Sequence, residues 1–370
     1  MSLLFTPISL RGLALENRIM VSPMCQYSAR EGCANDWHLI HLGSLTQSGA
    51  GLLCLEATAV TPEGRITPGC LGLYSDDNEA ALARVIAAVR RWSRMPLGIQ
   101  LCHAGRKASS LEPWNGGALI PPESGGWRPV APSAVPLSPD EPPPESLDET
   151  GLRRIRNAFA ACTRRADRLG LQAMELHFAH GYLVHQFLSP ISNRRTDRYG
   201  GSIANRMRFA LEVFDEVRQA WPGQKPLGVR LSATDWIEGG WDLDSSVALA
   251  HELKARGCDW IDCSSGGISP EQKIPVGPGY QVPLARRIRR ETGVTTIAIG
   301  LITEPVQAEA IIAAGDADMV ALARAMLWNP RWAWHAAAEL GATVLAPRQY
   351  WRSPPRGKQA ALRGSTSRQR

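Results

Sequence analysis

No Cys-x-x-Cys pair occurs among the eight cysteines of this 370-residue chain, at positions 25, 33, 54, 70, 102, 162, 258 and 263. The missing framework argues against a disulfide-stapled secreted fold and against a cysteine-built zinc site. Several of these cysteines fall in apolar runs, where a thiol serves as a small hydrophobe, so reduced thiols in a cytoplasmic protein are expected. No apolar run approaches the roughly 20 residues of a membrane-spanning helix. Pro7 and Arg11 interrupt any signal-peptide core, so neither membrane nor secretory leader is expected. There is no Gly-x-Gly-x-x-Gly fingerprint, no His-x-His and no His-Glu-x-x-His, which removes the usual sequence signs of a dinucleotide fold and of a zinc hydrolase. Net charge is scarce as well. Lys and Arg number 41 against 35 Asp and Glu, a difference of +6. Six basic residues and no acidic one lie between Trp351 and Arg370, so residues 1–350 balance at 35 against 35. The expectation is one domain over 1–350 and a solvated basic tail over 351–370, with no nucleic-acid surface.

What the chain has is alternation. Hydrophobic residues make up 44%, enough for a large core. Apolar strand-like runs at 17–24, 51–60, 96–103, 173–178, 226–232, 258–264, 295–300 and 317–323 are each followed by an amphipathic helical stretch. The helices are expected near 36–49, 76–94, 149–169, 203–221, 244–256, 282–292, 304–314 and 329–340. Asp148 caps one of them ahead of Leu152, Ile155 and Phe159, and Gly170 stops it. Eight β/α units in a chain of this size predict an α/β fold, a (β/α)8 barrel; a doubly wound sheet is the rival, because strand order is not written in sequence. Residues 3–16 read as a hairpin closing the barrel bottom. Two connections after strands are long, 104–147 and 179–202, on the rim where barrels carry their sites. The first, rich in Pro and Gly, reads as a lid or subdomain loop.

The most informative stretch is His177-Phe178-Ala179-His180-Gly181-Tyr182. On a continuing strand His177 and His180 would face opposite ways; Gly181 suggests that the strand has ended and that a loop bends His180 back beside His177. Two imidazoles and the Tyr182 hydroxyl would then cluster as donors at a strand's C-terminal rim. By strand parity Glu175 shares the face of His177, Arg230 sits mid-strand and Gln100 lies in Leu97–Leu101. An inward arginine needs a partner: either a buried bridge to Glu175, or a cofactor that becomes anionic. Gly300, Ala323 and Arg324 end strands seven and eight, where barrels commonly bind phosphate.

These residues together resemble the Old Yellow Enzyme flavoproteins, in the branch of xenobiotic reductases and thermostable ene-reductases. The markers are Asn17-Arg-Ile19, Ser22-Pro-Met-Cys-Gln-Tyr27, Glu56-Ala-Thr58, Glu63-Gly-Arg-Ile-Thr67, Gln100-Leu-Cys-His-Ala-Gly-Arg-Lys107, the 177–182 hexapeptide, Asn193–Gly201 and Arg324, in order from Leu4 to about Arg352. The resemblance implies non-covalent FMN over the barrel mouth and NAD(P)H as hydride donor. Pro23, Met24 and Cys25 would line the flavin's N5 side, and Ala57 and Gln100 its pyrimidine edge. Arg230 would face N1 and O2, with Gly300, Ala323 and Arg324 at the phosphate, and Cys25 would tune the redox behaviour. It further implies reduction of alkenes activated by carbonyl or nitro groups. There His177 and His180 would bind the oxygen, Tyr182 would protonate the α-carbon and Tyr27 would contact substrate, with Lys107 in support.

Some relatives carry asparagine at the position of His180, and some xenobiotic reductases carry tryptophan at that of Ile299, so a roomier pocket is expected there. Gln349–Arg352, with Trp351, matches a segment that in this branch reaches a neighbour's site, which implies a dimer or dimer-based tetramer. Flavin barrels with an iron–sulfur cluster need a cysteine cluster that this chain lacks. A metal-dependent barrel hydrolase using His177, His180 and His185 is the alternative enzyme. A polyanion-binding barrel is suggested only by the basic tail.

Overall fold

The computed structural model describes residues 2–364. Strands β1 (Ile8–Leu10) and β2 (Leu13–Leu15) form an antiparallel hairpin. The other strands are β3 (Ile19–Val21), β4 (Leu52–Ala59), β5 (Leu97–Cys102), β6 (Val130–Ala131), β7 (Glu145–Ser146) and β8 (Ala173–Phe178), then β9 (Leu227–Ser232), β10 (Trp260–Ser264), β11 (Thr295–Ala298) and β12 (Met319–Leu322). The helices are α1 (Asp36–Leu45), α2 (Asp76–Arg90), α3 (Glu149–Arg168), α4 (Leu183–Leu188) and α5 (Ile203–Ala220). They continue with α6 (Leu243–Ala255), α7 (Val282–Thr292), α8 (Pro305–Ala313), α9 (Arg324–Trp328) and α10 (Trp332–Leu340). Parallel strands β3, β4, β5, β8, β9, β10, β11 and β12 close into a barrel, with β12 sealed onto β3. A closed ring has no edge, so the doubly wound alternative fails. All eight expected β/α units are present.

Local chemistry explains the elements. The Asp148 carboxylate accepts from the Gly151 N–H at 2.7 Å and caps α3, which buries Leu152, Ile155 and Phe159 completely. Gly170, at φ 71°, turns the chain out of that helix. In the barrel interior, Leu10 and Leu15 of the hairpin pack with Met20, Leu52, Ala173, Trp260, Ile297 and Met319. The hairpin is therefore the plug of the barrel bottom, as expected.

The long connections are tied down by arginines. The Arg106 guanidinium donates to the carbonyls of Val135 (3.1 Å), Pro136 (3.0 Å) and Ile268 (2.5 Å). Arg195 Nη1 donates to those of Pro132 (2.9 Å) and Leu147 (2.6 Å). Trp114, on the exposed part of 104–147, meets the Tyr27 ring edge-on at 5.5 Å.

A short part of the C-terminal segment is seated on the body of the protein. Val344 pairs with Leu362 in a parallel bridge, Ala361 and Leu362 are buried against Trp334, and Arg363 bonds Glu16 at 2.9 Å. Ala361 and Leu362 thus seat the segment, while Arg352, Arg356, Lys358 and Arg363 are exposed. Arg368 and Arg370 lie outside the described residues. The short α4, α9 and the β6–β7 pair were not expected; six residues or fewer carry no readable period. No described helix is long and apolar enough to cross a membrane.

Gly228 on β9 has no room for a side chain. A Cβ there would sit 2.0 Å from Cε2 of Trp260, so Gly228→Val must overfill the interior. The cost should be about 3 kcal/mol, read as a lowered urea midpoint.

Candidate functional site

Inward side chains of β8 rise from Ala173 through Glu175 to His177. His177 lies opposite Arg230, which lies opposite Asp262. The strand then ends at Phe178. His180 adopts φ 59° and Gly181 φ 73°, two successive left-handed residues, and this reversal returns His180 to the same side. The two imidazoles stand 5.0 Å apart at 90°, and the Tyr182 ring is 4.9 Å from His177. A left-handed histidine is strained unless its surroundings hold it. Here they do. The His180 N–H donates to Ser232 Oγ at 2.9 Å, its carbonyl accepts from Lys107 Nζ at 2.9 Å, and its Nε2 bonds Ser264 Oγ at 2.6 Å. Gly267 completes the clamp: a Cβ there would lie 2.5 Å from the His180 backbone.

The hydrogen bonds fix much of the protonation. His177 Nδ1 accepts from the Ala179 N–H at 3.3 Å, so a neutral ring carries its proton on Nε2, as a donor. Burial first, and the Arg230 charge second, hold both imidazoles well below the ordinary 6.5. They act as neutral donors, not cations. Since His180 Nε2 is engaged by Ser264, its Nδ1 is the nitrogen left for a ligand. Burial pushes the Tyr182 phenol well above 10, so it stays protonated. Lys107 lies 5.3 Å over that ring, and burial lowers its ammonium to about 8.

Beneath the histidines lies a buried charge cluster. Glu175 accepts from Gln100 Nε2 at 2.8 Å and Trp260 Nε1 at 3.1 Å. Of the two roles open to Arg230, the Glu175 bridge does not form: Asp262 is its carboxylate partner, at 3.3 Å, because β9 and β10 set those two residues side by side. Two buried carboxylates thus lie in the field of one guanidinium. Burial and Asp262 raise Glu175 to about 7. Arg230 Nη1 also donates to Ser22 Oγ at 3.2 Å, and a small part of the side chain stays exposed at the mouth.

Pro23, Met24, Cys25 and Tyr27 line one side of this mouth, all half-buried. Their segment is fixed by Glu56, which accepts from the Gln26 N–H at 3.0 Å and faces His38 Nε2 at 3.5 Å. The strand register shifts between Leu55 and Ala57, a bulge that re-aims Glu56 and leaves Ala57 opposite Gln100. Gly300, at φ 104°, half-buried Ala323 and exposed Arg324 follow the last two strands. Ile299 is buried in the barrel-interior cluster. Trp351 lies on the C-terminal segment, where its Nε1 donates to Ala346 and its ring packs on Gly364.

Sequence reading missed Asp262, Ser232, Ser264 and Gln281, whose Nε2 bonds Ser265 at 2.8 Å and Ser264 at 3.2 Å. The signal for Asp262 was present: an acidic residue in an apolar strand, at interior parity. Among the described residues the metal alternative finds no ligand set. His185 Nδ1 accepts from the Gly181 N–H at 2.8 Å, and its Nε2 pairs with Asp235 at 2.8 Å, so it braces the turn. Among the described residues no group of three or more His, Cys, Asp or Glu is placed to hold a metal ion.

The depressed imidazoles have a consequence for pH. The unfolded chain takes up protons near 6.5 before folded His177 and His180 do, so acidification below about that pH should lower stability. His177→Gln should reduce that loss in urea titrations at pH 7 and pH 5, and an undiminished loss would contradict it.

Comparison with known proteins places this geometry. Residues 3–342 match the family model described as NADH:flavin oxidoreductase / NADH oxidase family. The NADPH dehydrogenase of Geobacillus thermodenitrificans (strain NG80-2) is 43% identical over 95% of this chain and 98% of its own. An NADH:flavin oxidoreductase of Gibberella zeae is 42% identical over 96% and 90%. Among solved structures, morphinone reductase superposes with a TM-score of 0.75 at 29% identity, covering 93% of this chain and 91% of that one. The Old Yellow Enzyme homologue from Zymomonas mobilis gives 0.73 at 23%, covering 97% and 98%, a likeness of fold. With eight parallel strands, a histidine pair on the rim and these relatives over nearly the whole chain, the protein belongs to the NADH:flavin oxidoreductase family, the Old Yellow Enzyme group of flavin- and nicotinamide-dependent oxidoreductases.

Proposed function

We propose that the protein is an FMN-dependent ene-reductase acting on alkenes activated by carbonyl or nitro groups, with NAD(P)H as reductant. The observation that carries this reading is the neutral His177 Nε2–H, with the rings of His180 and Tyr182 at 5.0 and 4.9 Å from its own, above a buried arginine. A donor trio of this kind suits an oxygen that gains negative charge during reaction.

The donor set suits FMN. Arg230 brings positive charge to the mouth. Gln100 has its amide nitrogen committed to Glu175, which leaves its oxygen as acceptor for a ring N–H. Pro23, Met24, Cys25, Ala57 and His177 would surround the ring system, and Gly300, Ala323 and Arg324 would hold the phosphate. When bound, FMN supplies hydride transfer from NAD(P)H to the β-carbon of the alkene.

The chain's own residues do the rest. His177 and His180 donate hydrogen bonds to the carbonyl or nitro oxygen and withdraw electron density from the double bond. Being neutral, they hold that oxygen without surrendering a proton to it. Tyr182 gives its hydroxyl proton to the α-carbon, and the raised phenol keeps that proton in place until carbanion character develops. Tyr27, with Trp114 against it, would bound the substrate side, and Ile299 would leave room just past the end of β11. We also read the enzyme as cytoplasmic, which eight unpaired thiols support. A dimer or dimer-based tetramer, with Gln349–Arg352 and Trp351 near a neighbour's mouth, is supported by the exposed Tyr350.

Three experiments test the reading. Protein reconstituted with excess FMN should show the visible flavin spectrum, and a colourless folded sample would overturn it. Tyr182→Phe should slow alkene reduction about 100-fold or more while sparing reduction by NAD(P)H in stopped flow; equal loss in both half-reactions would remove Tyr182 as the acid. His177→Ala combined with His180→Ala should abolish binding of phenols, measured by absorbance titration, and unchanged affinity would remove both from the oxygen site.

A further inference from the structure

Behind His180 runs a chain of buried side-chain bonds that the chemistry above does not use. Ser264 Oγ lies 2.6 Å from His180 Nε2 and 3.2 Å from Gln281 Nε2. The same amide nitrogen reaches Ser265 Oγ at 2.8 Å. Ser264, Ser265 and Gln281 are all buried. Gln281 caps the start of α7, and its seat exists because residue 300 is glycine: a Cβ there would lie 2.8 Å from Gln281 Oε1 and 3.1 Å from Gln281 Cβ. The Gly279 N–H donates to the Gly300 carbonyl at 2.8 Å and ties this loop to the turn after β11. The amide thus keeps its oxygen over Gly300 and its nitrogen on the two serines.

The direction of each bond follows from donor and acceptor counting. An amide nitrogen only donates, and its two hydrogens serve the two serines. Ser264 Oγ accepts one of them, so it turns its own single hydrogen toward His180 Nε2. That nitrogen is then the bare one. Burial and the Arg230 charge keep the ring neutral, which leaves its proton on Nδ1, the nitrogen that Ser264 does not engage. His177 is set the other way, because the Ala179 N–H binds its Nδ1 and leaves the proton on Nε2. We propose that Gln281 is a positioning residue that acts through Ser264 to hold His180 as the Nδ1–H tautomer, opposite to His177, so that both rings keep a proton on the nitrogen left for a ligand. The purpose of this arrangement rests on the oxygen-binding role proposed for the two histidines, but the tautomer itself is set in the resting protein. A neutral His180 with its proton on Nε2 would aim a lone pair at an oxygen gaining negative charge, repelling where attraction is needed.

The test is heteronuclear NMR of the FMN-loaded, full-length protein carrying isotope-labelled histidine, in which protonated and bare ring nitrogens resonate far apart. The His180 signals are identified by their loss in His180→Asn. Wild-type His180 should show a protonated Nδ1 and a bare Nε2, and His177 the reverse. Gln281→Met keeps the length of the side chain but offers no donor, so Ser264 is free to turn either way and His180 should show a share of the Nε2–H form. Ser264→Thr keeps the hydroxyl and should keep the wild-type pattern. Ser264→Ala should weaken binding of para-nitrophenolate, whose oxygen only accepts, about 10-fold in calorimetry, the worth of one hydrogen bond. The proposal is overturned if wild-type His180 carries its proton on Nε2, as it would with the Gln281 carbonyl turned to the serines. It is equally overturned if Gln281→Met leaves the wild-type pattern intact. The expected tautomers with unchanged phenolate affinity in Ser264→Ala would uphold the positioning role and sink the oxygen-binding one, so the two fail separately.

Discussion

The whole mouth depends on holding one non-glycine residue in a left-handed backbone conformation. His180 at φ 59° reverses the chain just past the end of a barrel strand, and without that reversal its ring would leave the face of His177. The strain is met by bonds from three separate strand ends or loops. Ser232 closes β9, Ser264 closes β10, and Lys107 follows β5. His185 and Asp235 brace the adjoining glycine. The loop is thus tied to the ends of the barrel's own strands.

The second constraint is electrostatic. Arg230 stands among two carboxylates below and two imidazoles above, all in the dry centre of the fold. Its charge opposes protonation of the imidazoles and favours ionisation of the carboxylates. The result is a site whose donors are neutral and whose positive charge is recessed. A carboxylate pair around a single guanidinium is costly to bury; here Gln100 and Trp260 satisfy Glu175, while Asp262 relies on Arg230. The protein thereby keeps a cation at the mouth without lining the pocket with mobile charge.

Much of this was legible in the sequence, for identifiable reasons. Buried parallel strands write themselves as apolar runs and helices as periodic ones, so the β/α register emerged intact. Strand parity put Glu175, His177, Arg230 and Gln100 inside, and the glycine after His180 announced the turn. Partnerships across strands were not legible. Arg230 chose Asp262 over Glu175 through the register of β9 against β10, which no single strand encodes. Ser232 and Ser264 looked like ordinary strand-end serines; only the fold shows that both terminate under the same histidine. Charge counting also passes over Ala361 and Leu362, the pair that seats the C-terminal segment.

The seam between β12 and β3 has a kinetic meaning. It sets Ile19 beside Val320, and Arg18 spans it with a bond to the Asp318 carbonyl at 3.0 Å, across 300 positions of chain. Contacts this far apart in sequence are the last to be rewarded during folding, since the loop they close is nearly the whole polypeptide. Of the barrel's strand pairings this one therefore carries the highest loop-closure cost. Until the final strand arrives, an emerging chain exposes the unpaired edge of β3 and the edge of the sheet growing away from it.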